Sequence, residues 1–140
     1  MTTAACYALC CVALFAKMFA LSLYQGYYRI SRLQFQVPED ARLVGRAPAP
    51  EELPQVQRAA RAWRNDLESI PVFFGLGAAY VLLDAPATPA QWLFGGFVAA
   101  RIAHSLCYLL GLQPWRTISY LIAIGTLFGI SGVILQTLPA

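Results

Sequence analysis

Polar side chains recur at helical spacing in three parts of this chain. Arg61, Arg64, Asn65 and Glu68 stand at i, i+3, i+4 and i+7, which puts all four on one helix face. Arg101, His104 and Tyr108 follow the same rule, as do Arg116 and Tyr120, and Arg29 closes the first apolar run. Each guanidinium offers a planar fork to a carboxylate. Glu68 can accept from an ammonium, and Asn65, His104, Tyr108 and Tyr120 add directional hydrogen bonds. Together they suit a small zwitterion with several carboxylates. Plainer roles compete residue by residue. Arg29, Arg32 and Arg61 can serve as interfacial anchors. Glu68 and Arg101 can pair as a structural bridge between helices, and a lone His104 is more often a satisfied interior histidine. Lys17, in the middle of an apolar run, has no assigned role.

The elements that carry these groups are set by composition. The chain has 140 residues, of which 59% are hydrophobic and 12% charged. A soluble domain carries about 25% charged residues, so a soluble globular domain is excluded, and so is disorder. Seven of the ten bases and six of the seven acids lie between Arg29 and Glu68. Around that polar segment are four apolar runs, about 4–28, 69–83, 91–110 and 117–138. Crossing ~30 Å of hydrocarbon takes ~20 helical residues. The second run is short, but it extends back through 55–68, which has no Pro or Gly. The expected fold is all-α: one integral membrane four-helix bundle over 1–140. Its helices lie at about 4–28, 55–83, 91–110 and 115–138, with antiparallel neighbours and a loop at about 29–54. Pro71 removes a backbone hydrogen bond within the second helix, which membrane helices tolerate.

The polar stretch from Arg29 to Glu68, which includes the first connection, holds seven arginines and the second connection no Lys or Arg, so the positive-inside rule puts the first connection in the cytoplasm. The polar residues of all four helices then fall in the cytoplasmic half, with Arg101 ~13 Å in from its helix end. Cys6, Cys10, Cys11 and Cys107 have no metal-ligand spacing and read as small packing residues, so no metal is expected. Ala47–Pro54 reads as a proline-rich surface loop without catalytic signal. Gly125 and Gly129 form a GxxxG, with Gly95 and Ala99 a similar face, which lets helices approach closely in lipid.

These residues resemble the family of membrane-associated proteins in eicosanoid and glutathione metabolism, nearest its microsomal glutathione transferase and prostaglandin E synthase branch. The likeness covers most of the chain: Lys17-Met18, Arg29, Pro38-Glu39-Asp40-Ala41, Arg64-Asn65-Asp66-Leu67-Glu68, Arg101-Ile-Ala-His104, Tyr108, and Arg116-Thr-Ile-Ser-Tyr120. It implies a homotrimer with glutathione as co-substrate at the cytoplasmic side. Arg29, Arg64, Asn65, Glu68, His104, Tyr108, Arg116 and Tyr120 would bind it, with Arg61, Arg101 and Asp40 in support. Arg116 would lie near the sulfur, with Thr117 where prostaglandin E synthase has a serine. The loop Gly111–Trp115 is also one residue shorter than in that enzyme.

The expected activity is conjugation of glutathione thiolate to lipophilic electrophiles arriving from the bilayer, with peroxidase action on lipid hydroperoxides beside it. The alternatives are a glutathione-dependent isomerase of the same family and a non-enzymatic lipid-binding or adaptor protein. Membrane lipids and the electrophile are the expected partners, and nucleic acid is not. The Ala- and Pro-rich composition favours a bacterial inner membrane over the endoplasmic reticulum.

Overall fold

The computed structural model describes residues 1–138. Four long helices and one short one follow in order: α1 (Thr3–Arg32), α2 (Pro38–Leu43), α3 (Pro54–Leu82), α4 (Ala87–Leu110) and α5 (Trp115–Thr137). Local chemistry sets several of these ends. The Thr2 hydroxyl accepts from Ala5 N at the start of α1, and Arg29 and Arg32 fill its last turn, where cations suit the helix dipole. Pro38 and Pro54 open α2 and α3, where a missing N–H removes nothing. Gly111 ends α4 in the left-handed region at φ 71°. There a Cβ would also come 3.2 Å from the Arg58 guanidinium.

The structure differs from the expected elements in two ways. α1 runs on to Arg32, and the 29–54 connection holds the six-residue α2, whose first turn carries Glu39 and Asp40. α3 is a single helix through Pro71. Three helices, α1, α4 and α5, are long and apolar enough to cross a membrane. Their outer faces expose large apolar side chains such as Val12, Phe15, Leu121 and Phe128, the pattern of a lipid-facing surface.

α3 and α4 touch each other and both of the remaining long helices, while α1 and α5 make no contact among the described residues. The bundle is therefore a central α3–α4 pair flanked on either side. Its main core is aromatic. Phe73 stacks on Phe97 at 4.6 Å between ring centres and meets Phe94 edge-on at 5.5 Å. Tyr7 joins them from α1, its hydroxyl donating to Phe74 O at 2.8 Å. A smaller cluster of Leu21, Ala59 and Ala62, with Tyr24, Trp63 and Tyr108 against it, occupies the opposite end. That end gathers the start of α3, the ends of α1 and α4, and the start of α5.

At Gly77, α3 meets α1 with no room for a side chain: a Cβ there would drive into the Tyr7 ring, meeting Cδ2 at 2.7 Å. Tyr7 is tethered by its hydroxyl and cannot swing away. In the GxxxG, Gly129 faces α4, with a Cβ meeting Leu93 at 2.7 Å, whereas Gly125 faces open space. Gly77→Ala should lower stability by about 1–3 kcal/mol through overpacking. Gly75→Ala on the same helix, where nothing lies within 4 Å, should be neutral or better. Unfolding titrations in detergent micelles measure both, and equal midpoints for the two variants would refute the close contact.

Candidate functional site

Asp66 is the polar centre of the bundle. It is fully buried, and so is Arg101. The carboxylate divides its two oxygens between two helices. Oδ2 accepts from Lys17 Nζ of α1. Oδ1 accepts from Arg101 of α4, through Nη2 at 2.6 Å and Nε at 3.2 Å. Arg101 Nη2 also donates to Asn65 Oδ1 at 2.8 Å, and Asn65 Nδ2 donates to Glu68 Oε2 at 3.2 Å. A chain of hydrogen bonds thus runs from the buried ion group out to the exposed face of α3.

This corrects two readings. The partner of Arg101 is Asp66, not Glu68. On a helix Asp66 lies about 200° from Glu68, so it faces inward while Glu68 faces out. Arg101 is also withdrawn from any ligand as a direct contact, since its side chain has no exposed surface. Lys17, which had no role in the sequence, is the third member of the group.

Three open clefts lie side by side at this end of the bundle. The first, of about 410 Å³, is lined by Arg29, Glu52, Gln57, Arg61 and Arg64 among others. Arg61 and Arg64 also line the second, of about 230 Å³, with Asn65, Glu68 and Tyr108. Asn65 and Tyr108 continue into the third, of about 240 Å³, with His104, Arg116, Thr117 and Tyr120. Of the residues expected to bind glutathione, support it or lie at its sulfur, all but Arg101 and Asp40 line this one run. Asp40 is exposed on α2 and lines none of the three. From Glu68 an apolar groove of about 260 Å³ leads away between α3 and α5, past Val72, Leu76, Ile124 and Phe128.

Within the run, Arg116 is held on two sides. Its guanidinium lies 4.7 Å from the Tyr108 ring centre, a cation–π distance. Gln113 takes its edge: with the amide oxygen turned towards Arg116, it accepts from Nε at 3.1 Å and Nη2 at 2.5 Å. The same amide's NH2 then donates to Thr117 Oγ1 at 3.2 Å. His104 is buried against Tyr108 and Tyr120, with ring centres at 5.7 and 6.2 Å. At the other end Arg29 is engaged by Glu52, through Nε at 2.9 Å and Nη2 at 2.6 Å.

Three residues of the site are thus additions to the sequence reading. Glu52 belongs to the segment read as a loop without catalytic signal. Gln113 lies in a turn, outside any helical pattern. Asp66 had a usable signal: Lys17 and Arg101 are charges set within apolar runs and need an anion, and Asp66 is the acid on the face of its helix opposite the Arg61–Glu68 set.

Comparison with known proteins adds an independent finding. A family model described as the MAPEG family matches residues 7–136. Human prostaglandin E synthase is 35% identical over 116 residues, covering 82% of this chain and 76% of its own. Human microsomal glutathione S-transferase 1 is 36% identical over 115 residues, covering 79% and 74%. The pig form of that transferase is 35% identical over the same length.

Removing the shared anion should be the most damaging change to the buried group. Asp66→Leu leaves Lys17 and Arg101 uncompensated and should cost about 3–5 kcal/mol. Lys17→Met leaves a balanced Asp66–Arg101 pair and should cost clearly less. Detergent unfolding of the two variants compares them, and equal losses would reject Asp66 as the common partner.

Proposed function

The chain belongs to the MAPEG family, and from that premise we propose that it is a membrane-bound glutathione transferase. Its reaction is conjugation of the glutathione thiolate to lipophilic electrophiles. One observation carries the reading: the run of clefts from Arg29 to Tyr120, lined by four arginines and ending on a guanidinium pinned between Tyr108 and Gln113. A tripeptide with two carboxylates and one ammonium matches that lining. Arg61 and Arg64 take carboxylate, Glu68 takes the ammonium, and Asn65 and Tyr108 bridge the subsites. Arg29 joins them once Glu52 yields its place to a ligand carboxylate.

The chemistry follows from Arg116. A free thiol has a pKa near ~8.5 and is mostly protonated at neutral pH, while the thiolate is the nucleophile. Lowering that value by ~2 units needs ~2.7 kcal/mol of preference for the thiolate. One guanidinium in a partly dry site supplies that much. The thiolate attacks an electrophilic carbon, the C–S bond forms, and the leaving group departs with the carbon's former bonding pair. The apolar groove between α3 and α5 starts at Glu68, which supports delivery of the second substrate from the bilayer. Lipid hydroperoxides fit the same approach. In this reading α3 crosses the membrane with the other three long helices. The polar end faces the cytoplasm of a bacterial inner membrane, and three copies associate so that the clefts, open in one subunit, are closed by a neighbour.

The isomerase reading has its own support, since prostaglandin E synthases match as well as the transferases do and the Thr117 hydroxyl shares the Gln113 amide with Arg116. The lipid-adaptor reading predicts no saturable glutathione binding and strong salt sensitivity.

Purified protein titrated with glutathione should show saturable thiolate absorbance at neutral pH. Its absence would reject the transferase. Arg116→Ala should raise the bound thiol's pKa by ~2 units, so that thiolate appears only at alkaline pH, and should slow conjugation of a chloronitrobenzene by ~25-fold at pH 7, the ratio of the two thiolate fractions. A separate assay divides the two enzymatic readings. Thr117→Val should leave conjugation within about threefold of wild type if the guanidinium alone stabilises the thiolate. Loss of turnover on an endoperoxide with conjugation intact would assign Thr117 to an isomerase.

A further inference from the structure

The sense of the Asn65 side chain is fixed from both ends. Its carbonyl oxygen faces Arg101 Nη2, which can only donate, and its NH2 faces Glu68 Oε2, which as a carboxylate can only accept. Turning the amide over would oppose donor to donor and acceptor to acceptor. Arg101 Nη2 has two hydrogens, and both are used, one on Asp66 and one on Asn65. Arg101 is held in turn by Nε and Nη2 on the same Asp66 oxygen. A rigid, buried ion group therefore reaches the cleft through one amide.

We infer that Asp66 and Arg101 are positioning residues for the glutathione site: they set the orientation of Asn65, and through it they hold Glu68 where it meets the ammonium of the tripeptide. The inference rests on the glutathione reading and deepens it. Neither residue touches the ligand. Asn65 keeps one N–H beyond the one given to Glu68, and it lines both inner clefts, so the same locked amide also presents a donor to the ligand. Glu68 is exposed and makes its hydrogen bond only to Asn65 among the described residues. Without that bond its flexible side chain loses its fixed place over the cleft. Lys17 has a different task, since it balances charge on the other Asp66 oxygen and has no link to Asn65.

The test reads recognition of the ammonium, which a purely structural role would not move selectively. Binding of glutathione is compared with that of glutathione acetylated on its α-amino group, in intact detergent-purified protein. Wild type should favour the free ammonium by about tenfold or more, the range for a charge-assisted contact. Glu68→Gln should abolish that preference. Arg101→Lys keeps the charge and a partner for Asp66 but lacks the two-armed fork, so its preference should fall to within about threefold of unity. Its thiolate absorbance at saturation should stay at the wild-type level, because Arg116 is untouched. Lys17→Met should retain the preference. The inference is overturned if Arg101→Lys discriminates like wild type, if Lys17→Met loses discrimination to the same extent, or if wild type binds glutathione without discriminating. Absence of saturable glutathione binding to wild type sinks the glutathione reading itself and is read separately.

Discussion

A carboxylate buried among three helices sets the terms for the rest of this molecule. Asp66 lies between Lys17 and Arg101, with one oxygen for each. Charges within membrane-spanning sequence are expensive unless they meet, and these three come from three different helices. The angular phase of α1 and α4 about α3 is fixed by that meeting more sharply than by aromatic packing, which tolerates small rotations. On α3 the phase places Asp66 inward and therefore Arg61, Arg64, Asn65 and Glu68 outward along the cleft. On α4 it places Arg101 inward and His104 and Tyr108 towards the start of α5. The cleft-lining face is a geometric consequence of satisfying one buried anion.

The bundle then separates tasks along its length. The far end is an aromatic core of Phe73, Phe94, Phe97 and Tyr80, joined by Tyr7. The middle is the ion group. The near end has little core of its own, only Leu21, Ala59 and Ala62 with partly buried neighbours, and it carries the open clefts. Sparse packing beside the clefts and dense packing away from them is the partition expected of a candidate site, since a site must admit and release its guests. The arginines follow the same division. Arg101 is sealed and spent on structure, Arg116 is half-buried and held but open on one side, and Arg64 is exposed.

Much of this arrangement is written in residue spacing. The i, i+3, i+4, i+7 set of α3, the Arg101 to Tyr108 face and the Arg116–Tyr120 pair can be read directly, because helix periodicity converts sequence distance into angle. The partner of Arg101 is harder. Choosing between Glu68 and Asp66 requires knowing which face of α3 turns inward, and the polar face suggests Glu68 until the helix is placed against α4. Glu52 and Gln113 lie in connections, where no periodicity links sequence to position, so their contacts with Arg29 and Arg116 exist only once the chain ends are brought together. The short helix α2 had better warning: a proline at its first position and two acids in its first turn are start signals in themselves.

The way Arg116 is held explains why a guanidinium, rather than an ammonium, suits that position. The flat group can lay a face on the Tyr108 ring and still give an edge to the Gln113 oxygen. Nε and one hydrogen of Nη2 are taken by Gln113, which leaves Nη1 and the second Nη2 hydrogen free. Arg116 lines the cleft shared with His104 and Tyr120. A lysine would keep the charge but could not use a ring and an amide to fix its direction. Fixed direction matters because a dipole or charge already in place does no reorganising work when negative charge develops on the guest. The anion within the bundle and the cation at its mouth thus solve related problems. Each holds a charge still in a medium that would otherwise reject it, the first by pairing both oxygens and the second between a ring and an amide.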